Sequence, residues 1–307
     1  MKKIHRILLP IYTAMALISC ERLGDIHKSD SSTNAGGYHG DVESVTSFSY
    51  AYKSSKESQD SIKVYSGKTK TQYNVRGKIT SSIVYDEHDI ITSQTFYKYE
   101  YDTNGRIATI TMECHHKSGT INIQKSTHQY DLKGKVTRVI SHYSDNKSEE
   151  VRIDTTDNRY DFKGRAIESI TYNGPHIKAK TVITYTSFDE ILTNKHESHS
   201  VSSTGYISFY HNSTYTYNQA NVMIEGTHET THVNGGECRS WTSKCIYEHD
   251  INGNLIYQDT YQDSRLVETY ECEYDSRNNH TKEIFYNYVE GIKTPFIEYE
   301  HQITYRD

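Results

Sequence analysis

The sequence predicts an all-β chain of repetitive antiparallel hairpins, and three observations predict it. A unit of acid, two residues and glycine returns about every thirty residues, a period that marks a repeat architecture. Runs of β-branched residues follow each unit, such as Val136-Thr137-Arg138-Val139-Ile140. Aromatics precede it two apart, as in Tyr97, Tyr99 and Tyr101, a spacing that places them on one face of a strand.

The turn unit is kept in full four times, at Asp102 to Gly105, Asp131 to Gly134, Asp161 to Gly164 and Asp250 to Gly253. Tyr101, Tyr130 and Tyr160 precede the first three, and His249 precedes the fourth. The first-position acid can accept hydrogen bonds from backbone N–H groups two or more residues on, and the glycine tolerates the left-handed conformation that closes a bulged hairpin. Looser copies start at Tyr73, Tyr185, Tyr217 and Tyr274, with Asn221 and Asn278 standing in for glycine. Counting these gives about eight repeats, each of two strands. The chain reaches Tyr305-Arg306-Asp307 where a further copy would begin.

Ahead of the repeats, Lys2, Lys3 and Arg6 form a positive segment, and Ile7 to Ile18 is apolar apart from polar interruptions and Pro10. That run is too short for a comfortable transmembrane helix and fits a secretory signal. It ends in Leu17-Ile18-Ser19-Cys20, which resembles the lipobox of bacterial lipoprotein precursors. The resemblance implies cleavage before Cys20 and lipidation of its sulfur, several acyl chains giving a stable membrane anchor. The expected organisation is a signal peptide over 1–19, a lipidated cysteine and flexible Ser/Asn/Gly-rich tether over 20–43, and a β-repeat domain over 44–307.

Tyr101-Asp102 with Gly105-Arg106-Ile107, Tyr130-Asp131 with Gly134-Lys135-Val136, Tyr160-Asp161 with Gly164-Arg165, and Asp250 with Gly253-Asn254-Leu255 together resemble the YD-repeat (Rhs-type) family. The resemblance implies one long, twisted or spiralling hairpin sheet and an association with carbohydrate binding and cell-surface contact. There are too few repeats for the closed shells of the toxin-carrying relatives, and no distinct C-terminal effector follows them.

Composition agrees with a thin β structure. Of 307 residues, 34% are hydrophobic and 28 are Tyr, whose rings bury while their hydroxyls stay wet. A net charge of −6 with mixed signs argues against a nucleic-acid partner. The expected partners are the membrane, through the lipid, and an envelope glycan or protein. The expected location is an exported, anchored protein of the outer membrane.

One catalytic signature occurs. His228-Glu229-Thr230-Thr231-His232 fits H-E-x-x-H, and Cys238 falls where a third zinc ligand would sit. A zinc-dependent hydrolase is therefore the alternative reading. The motif needs a helix, and Gly226, Thr227, Thr230, Thr231 and Val233 make a strand-like context. The principal reading is a non-enzymatic, membrane-anchored repeat scaffold for binding or structural contact, with no cofactor. Cys114, Cys238, Cys245 and Cys272 are expected mostly as free thiols, and Glu149-Glu150 as a solvated edge.

Overall fold

The computed structural model describes residues 38–54, 61–148, 151–187, 189–202, 205–234 and 237–306. Cys20, the signal peptide and most of the expected tether lie outside them. The described residues form eighteen strands: β1 (Val42–Ser54), β2 (Ser61–Tyr73), β3 (Ile79–Tyr85), β4 (Ile91–Tyr101), β5 (Ile107–His116), β6 (Ile121–Tyr130), β7 (Val136–Asp145), β8 (Arg152–Tyr160) and β9 (Ala166–Asn173). They continue with β10 (His176–Tyr185), β11 (Ile191–Ser202), β12 (Gly205–Tyr217), β13 (Met223–Asn234), β14 (Glu237–His249), β15 (Leu255–Gln262), β16 (Arg265–Tyr274), β17 (His280–Val289) and β18 (Ile292–Tyr305).

Each turn unit builds a hairpin by the same chemistry. In the copy at Asp102, the carboxylate Oδ1 accepts from the N–H groups of Asn104 and Arg106, both at 2.9 Å. The backbone closes with Asp102 N–H to the Arg106 carbonyl at 2.8 Å and Gly105 N–H to the Asp102 carbonyl at 3.0 Å. Gly105 sits at φ 75°, in the left-handed region. Asn221 at φ 59° and Asn278 at φ 61° occupy the same position in their copies. A bulge follows every such turn, so Tyr101 faces Ile107 and Glu100 faces Thr109.

The tyrosines do more than pack. Tyr130 donates its hydroxyl to the Ile107 carbonyl at 2.6 Å, Tyr160 to that of Val136 at 2.8 Å, Tyr185 to that of Ala166 at 2.7 Å and Tyr274 to that of Leu255 at 2.8 Å. Each acceptor is the first residue of a strand just past a turn, so each latch ties one hairpin to the one before it. Turn cations cap the same rings: the Arg106 guanidinium lies 4.4 Å from the Tyr130 centroid and that of Arg165 4.4 Å from Tyr185.

The strands run as a continuous antiparallel meander, and β18 pairs with β1 over Val42 to Ala51. The sheet is a closed barrel of nine hairpins. This corrects the expectation of an open, spiralling sheet of about eight repeats, and with it the YD-repeat resemblance. A spiral leaves two unpaired edges; here the two edges complement each other and pair.

The seam is a split copy of the repeat with its charges exchanged. Tyr305 faces Val42 across a bulge as Tyr101 faces Ile107. Arg306 N–H donates to the Asp41 carbonyl at 2.9 Å, the bond that Asp102 makes to Arg106 elsewhere, and Gly40 takes φ 85° where Gly105 takes 75°. The side-chain pair is kept but reversed: Arg306 occupies the place of the turn acid and bonds the carboxylate of Asp41, which occupies the place of Arg106. Asn279 adds a clasp, accepting from His39 N–H and donating to the His39 carbonyl and the Tyr305 hydroxyl. On the other face of the sheet, Lys63 of β2 reaches over β1 to Glu298 at 2.8 Å and Glu300 at 2.6 Å on β18.

Following the ladder partners once round returns to β1 displaced by about 20 residues, which for eighteen strands gives a tilt of about 38° and a backbone radius of about 17 Å for a round cross-section. Among the described residues, no strand packs on another across the barrel in more than a glancing contact. The buried apolar side chains gather in small clusters between neighbouring strands, and a round cross-section of this radius encloses a wide lumen.

Arg306→Asp sets two carboxylates against each other at the seam and lowers stability by about 1 kcal/mol, read as the urea midpoint. The double variant with Asp41→Arg restores the charge order of the other turns and recovers most of that loss.

Candidate functional site

Ladder register sorts the strand residues into two faces of opposite character. One face carries Tyr97, Tyr99, Ser126, Ser141, His211 and Ser213; the ten buried apolar side chains also lie on it, from Val42 to Phe285. The other carries Lys98, Glu100, Arg138, Asp157, Glu197 and Lys244. Along β14 the alternation is regular: Cys245 and Tyr247 are buried, while Thr242, Lys244, Ile246 and Glu248 are exposed. Side chains directed into a cylinder converge and those directed out splay apart, so the crowded hydroxyl, imidazole and aromatic face is the lumen, and the charged face looks outward.

The H-E-x-x-H residues fall within this lumen wall and are not brought together. They lie on β13, where a spacing of four residues spans about 13 Å, so His228 and His232 cannot share an ion. Glu229 points to the outer face and accepts from Asn212 at 3.3 Å. Cys238, opposite Val233, is exposed on that outer face too. The zinc-hydrolase alternative is corrected: the signature has a helical period, and the segment has the period of a strand.

His228 instead belongs to a hydrogen-bonded chain. Its Nδ1 meets Ser213 Oγ at 2.9 Å and its Nε2 the Tyr247 hydroxyl at 3.4 Å. Ser213 Oγ also meets His211 Nε2 at 2.8 Å, and His211 Nδ1 meets Thr230 Oγ1 at 3.0 Å. The His211 and His228 rings stack with centroids 5.6 Å apart, and Phe209 stacks on the far side of His211. Burial, helped by the neighbouring His211, pushes the His228 imidazole down to about 4. Burial lowers His196 and His211 as well. It also pushes the Glu268 carboxyl up to about 7. These three imidazoles are thus uncharged at physiological pH. The alternation of His196 with Lys195 and Glu197 is the sequence signal of its wall position.

Towards the other rim, a pocket of about 940 Å³ opens on the same face. Met112, Asn122, Gln124, Tyr143, Arg152 and Asn173 line it, with the Arg152 guanidinium 4.3 Å from the Tyr143 centroid. Aromatic and amide groups side by side suit an apolar ligand face flanked by hydroxyls. Among the described residues Cys114, Cys238, Cys245 and Cys272 form no disulfide.

No family model matches the chain. No curated protein matches it either. The solved structures that resemble it include a porin-like protein from Bacteroides uniformis, 9% identical with a TM-score of 0.40, and one from Bacteroides vulgatus, 12% identical with a TM-score of 0.31. Each alignment covers 86% of this chain and 98% of the other. The closed barrel replaces the open repeat-scaffold reading, and a closed barrel is consistent with an outer-membrane location. A barrel that spans a bilayer also needs an outward apolar band about 25 Å tall. Neither face supplies one here, since the outer face is charged and the lumen face is rich in Ser, Thr, His and Tyr hydroxyls.

His228 binds no proton in the fold until the pH falls to about 4, whereas the unfolded chain binds one near pH 6.5. Its contribution is therefore complete above pH 6.5 and is lost as the pH falls towards 4, by about 3 kcal/mol at most. Urea midpoints across that window fall with pH in the native chain, and less so in His228→Gln.

Proposed function

We propose that the protein is a non-enzymatic envelope barrel whose lumen receives neutral, hydroxyl-rich solutes of the glycan class. One observation carries this reading: most charged side chains lie on the outer face, and the lumen is lined mainly by hydroxyl, amide, imidazole and aromatic groups, with Arg152, Asp154, Glu268 and Glu283 set among them. Neutral hydrogen-bonding groups recognise a polyol without the cost of stripping a charge from water. Tyrosine rings offer flat faces for the apolar side of a sugar. The pocket at Tyr143 and Arg152 is one place for such contacts.

The lipobox at Leu17 to Cys20 supports tethering at the membrane surface by lipid on Cys20, with the charged barrel standing in water beside the bilayer. On this reading the barrel holds its ligand at the envelope and does not conduct it through the membrane.

An array of neutral oligosaccharides probed with the mature chain gives binding that Tyr143→Ala weakens at least about tenfold, the scale of one lost aromatic contact. An array without signal from the folded chain overturns the ligand class. Liposomes reconstituted with the protein stay impermeable to sugars, and swelling at the rate of an open pore overturns the tethered placement.

A further inference from the structure

The nine hairpins provide an internal standard, because each bulge position has eight counterparts. The first residue after the turn is Val42, Ile79, Ile107, Val136, Ala166, Ile191, Met223 and Leu255 in eight of them. In the ninth it is His280, opposite Tyr274. Three residues on, where the others carry Val45, Ser82, Ile110, Val139, Ser169, Asn194, Gly226 and Gln258, this hairpin carries Glu283. Two residues before the marker, where the others carry Thr71, Tyr99, His128, Asn158, Ile183, Tyr215, Tyr247 and Ile303, it carries Cys272. At these three positions the other eight hairpins carry one metal-ligating imidazole or thiol between them, His128, whereas this hairpin carries a ligating side chain at all three.

The three departures meet in space. Cys272 faces Glu283 across the β16–β17 ladder. In a plain strand, residues three apart point to opposite faces. The bulge after the turn re-aims His280, so it shares the lumen face with Glu283. One ligand atom from each of Cys272, His280 and Glu283 can be chosen with all three within 4.8 Å of one another. His280 Nδ1 lies 3.4 Å from Glu283 Oε1. Cys272 is buried, and the site opens to the lumen on the His280 side.

The carboxylate is also oriented from outside the trio. The Tyr270 hydroxyl donates to Glu283 Oε1 at 2.8 Å, and His301 Nε2 meets Oε2 at 3.1 Å. His301 Nδ1 in turn meets Ser47 Oγ at 2.8 Å, on β1. A ligating carboxylate held by its own hydrogen bonds is the usual surround of a protein metal site.

We propose that Cys272, His280 and Glu283 form a site for a divalent transition ion of the zinc class. Sulfur, nitrogen and oxygen donors together favour zinc over calcium or magnesium. Thiolate and carboxylate balance the charge of a divalent ion, and three protein ligands leave a fourth position for water or a lumen ligand. Binding releases the protons held by Cys272 and His280 to solvent. Through Glu283, His301 and Ser47 the ion fastens β16 and β17 to the seam strands.

The test is cobalt(II) and zinc(II) titration of the full mature chain, kept reduced. One equivalent of cobalt gives the visible bands of a tetrahedral site and a thiolate-to-cobalt band in the near ultraviolet, and zinc displaces both. Cys272→Ser abolishes the thiolate band. His280→Ile, the residue type that other hairpins place there, keeps the β spectrum and loses at least about 100-fold in affinity. Tyr270→Phe, which touches only the carboxylate, loses about tenfold. Binding weaker than about 100 μM in the native chain overturns the site. So does binding that survives unchanged in both Cys272→Ser and His280→Ile.

Discussion

Closure of the backbone ladder is the constraint on which this structure depends. With ten buried apolar side chains among the described residues, there is no core large enough to hold a sheet of eighteen strands by itself. What the chain has instead is a complete circuit of antiparallel ladders, in which no strand is left with an open edge. The tyrosine latches and the turn cations add hairpin-to-hairpin ties around the same rim. The small satellite clusters, Val42 with Val45 and Tyr73, and Tyr270 with Cys272 and Phe285, sit beside the seam and one hairpin away from it. Apolar packing is therefore concentrated where the circuit has to be joined.

Much of the local structure was legible in the sequence. The Asp-x-x-Gly spacing identifies the turns because only a few residue types supply both an acceptor and a left-handed corner. The two-residue spacing of Tyr97, Tyr99 and Tyr101 identifies strands and their shared face. Closure was not legible, because it depends on the accumulated register of eighteen ladders, which no local pattern records. The one local trace of it lay in Gly40-Asp41-Val42 and Tyr305-Arg306. There the repeat is divided between distant parts of the chain and its charges are exchanged, so a search for Tyr-Asp passes over it. The expected tether boundary at 43 falls inside this split copy for the same reason.

The reading of ligands suffered from treating motifs as independent of period. His228 and His232 match a signature whose chemistry exists only at helical spacing; on a strand the same letters describe two wall positions about 13 Å apart. Conversely, Cys272, His280 and Glu283 match no signature, and become conspicuous only when aligned against the other hairpins. In a repeat protein the informative unit is the departure from the frame, and the frame is visible only once the bulges are placed.

The split turn at the seam has a kinetic meaning. Every other hairpin on its rim closes a loop of a few residues, whereas pairing Val42 with Tyr305 closes nearly the whole described chain. Such a contact comes late in folding, after the local hairpins have aligned their neighbours. Held by the turn bonds of the other hairpins, the Asn279 clasp and the Lys63 pairs but by no covalent turn, it is a line along which the cylinder can open without breaking a hairpin. A molecule too large for the rim would then have a lateral way in, through a slit between β18 and β1.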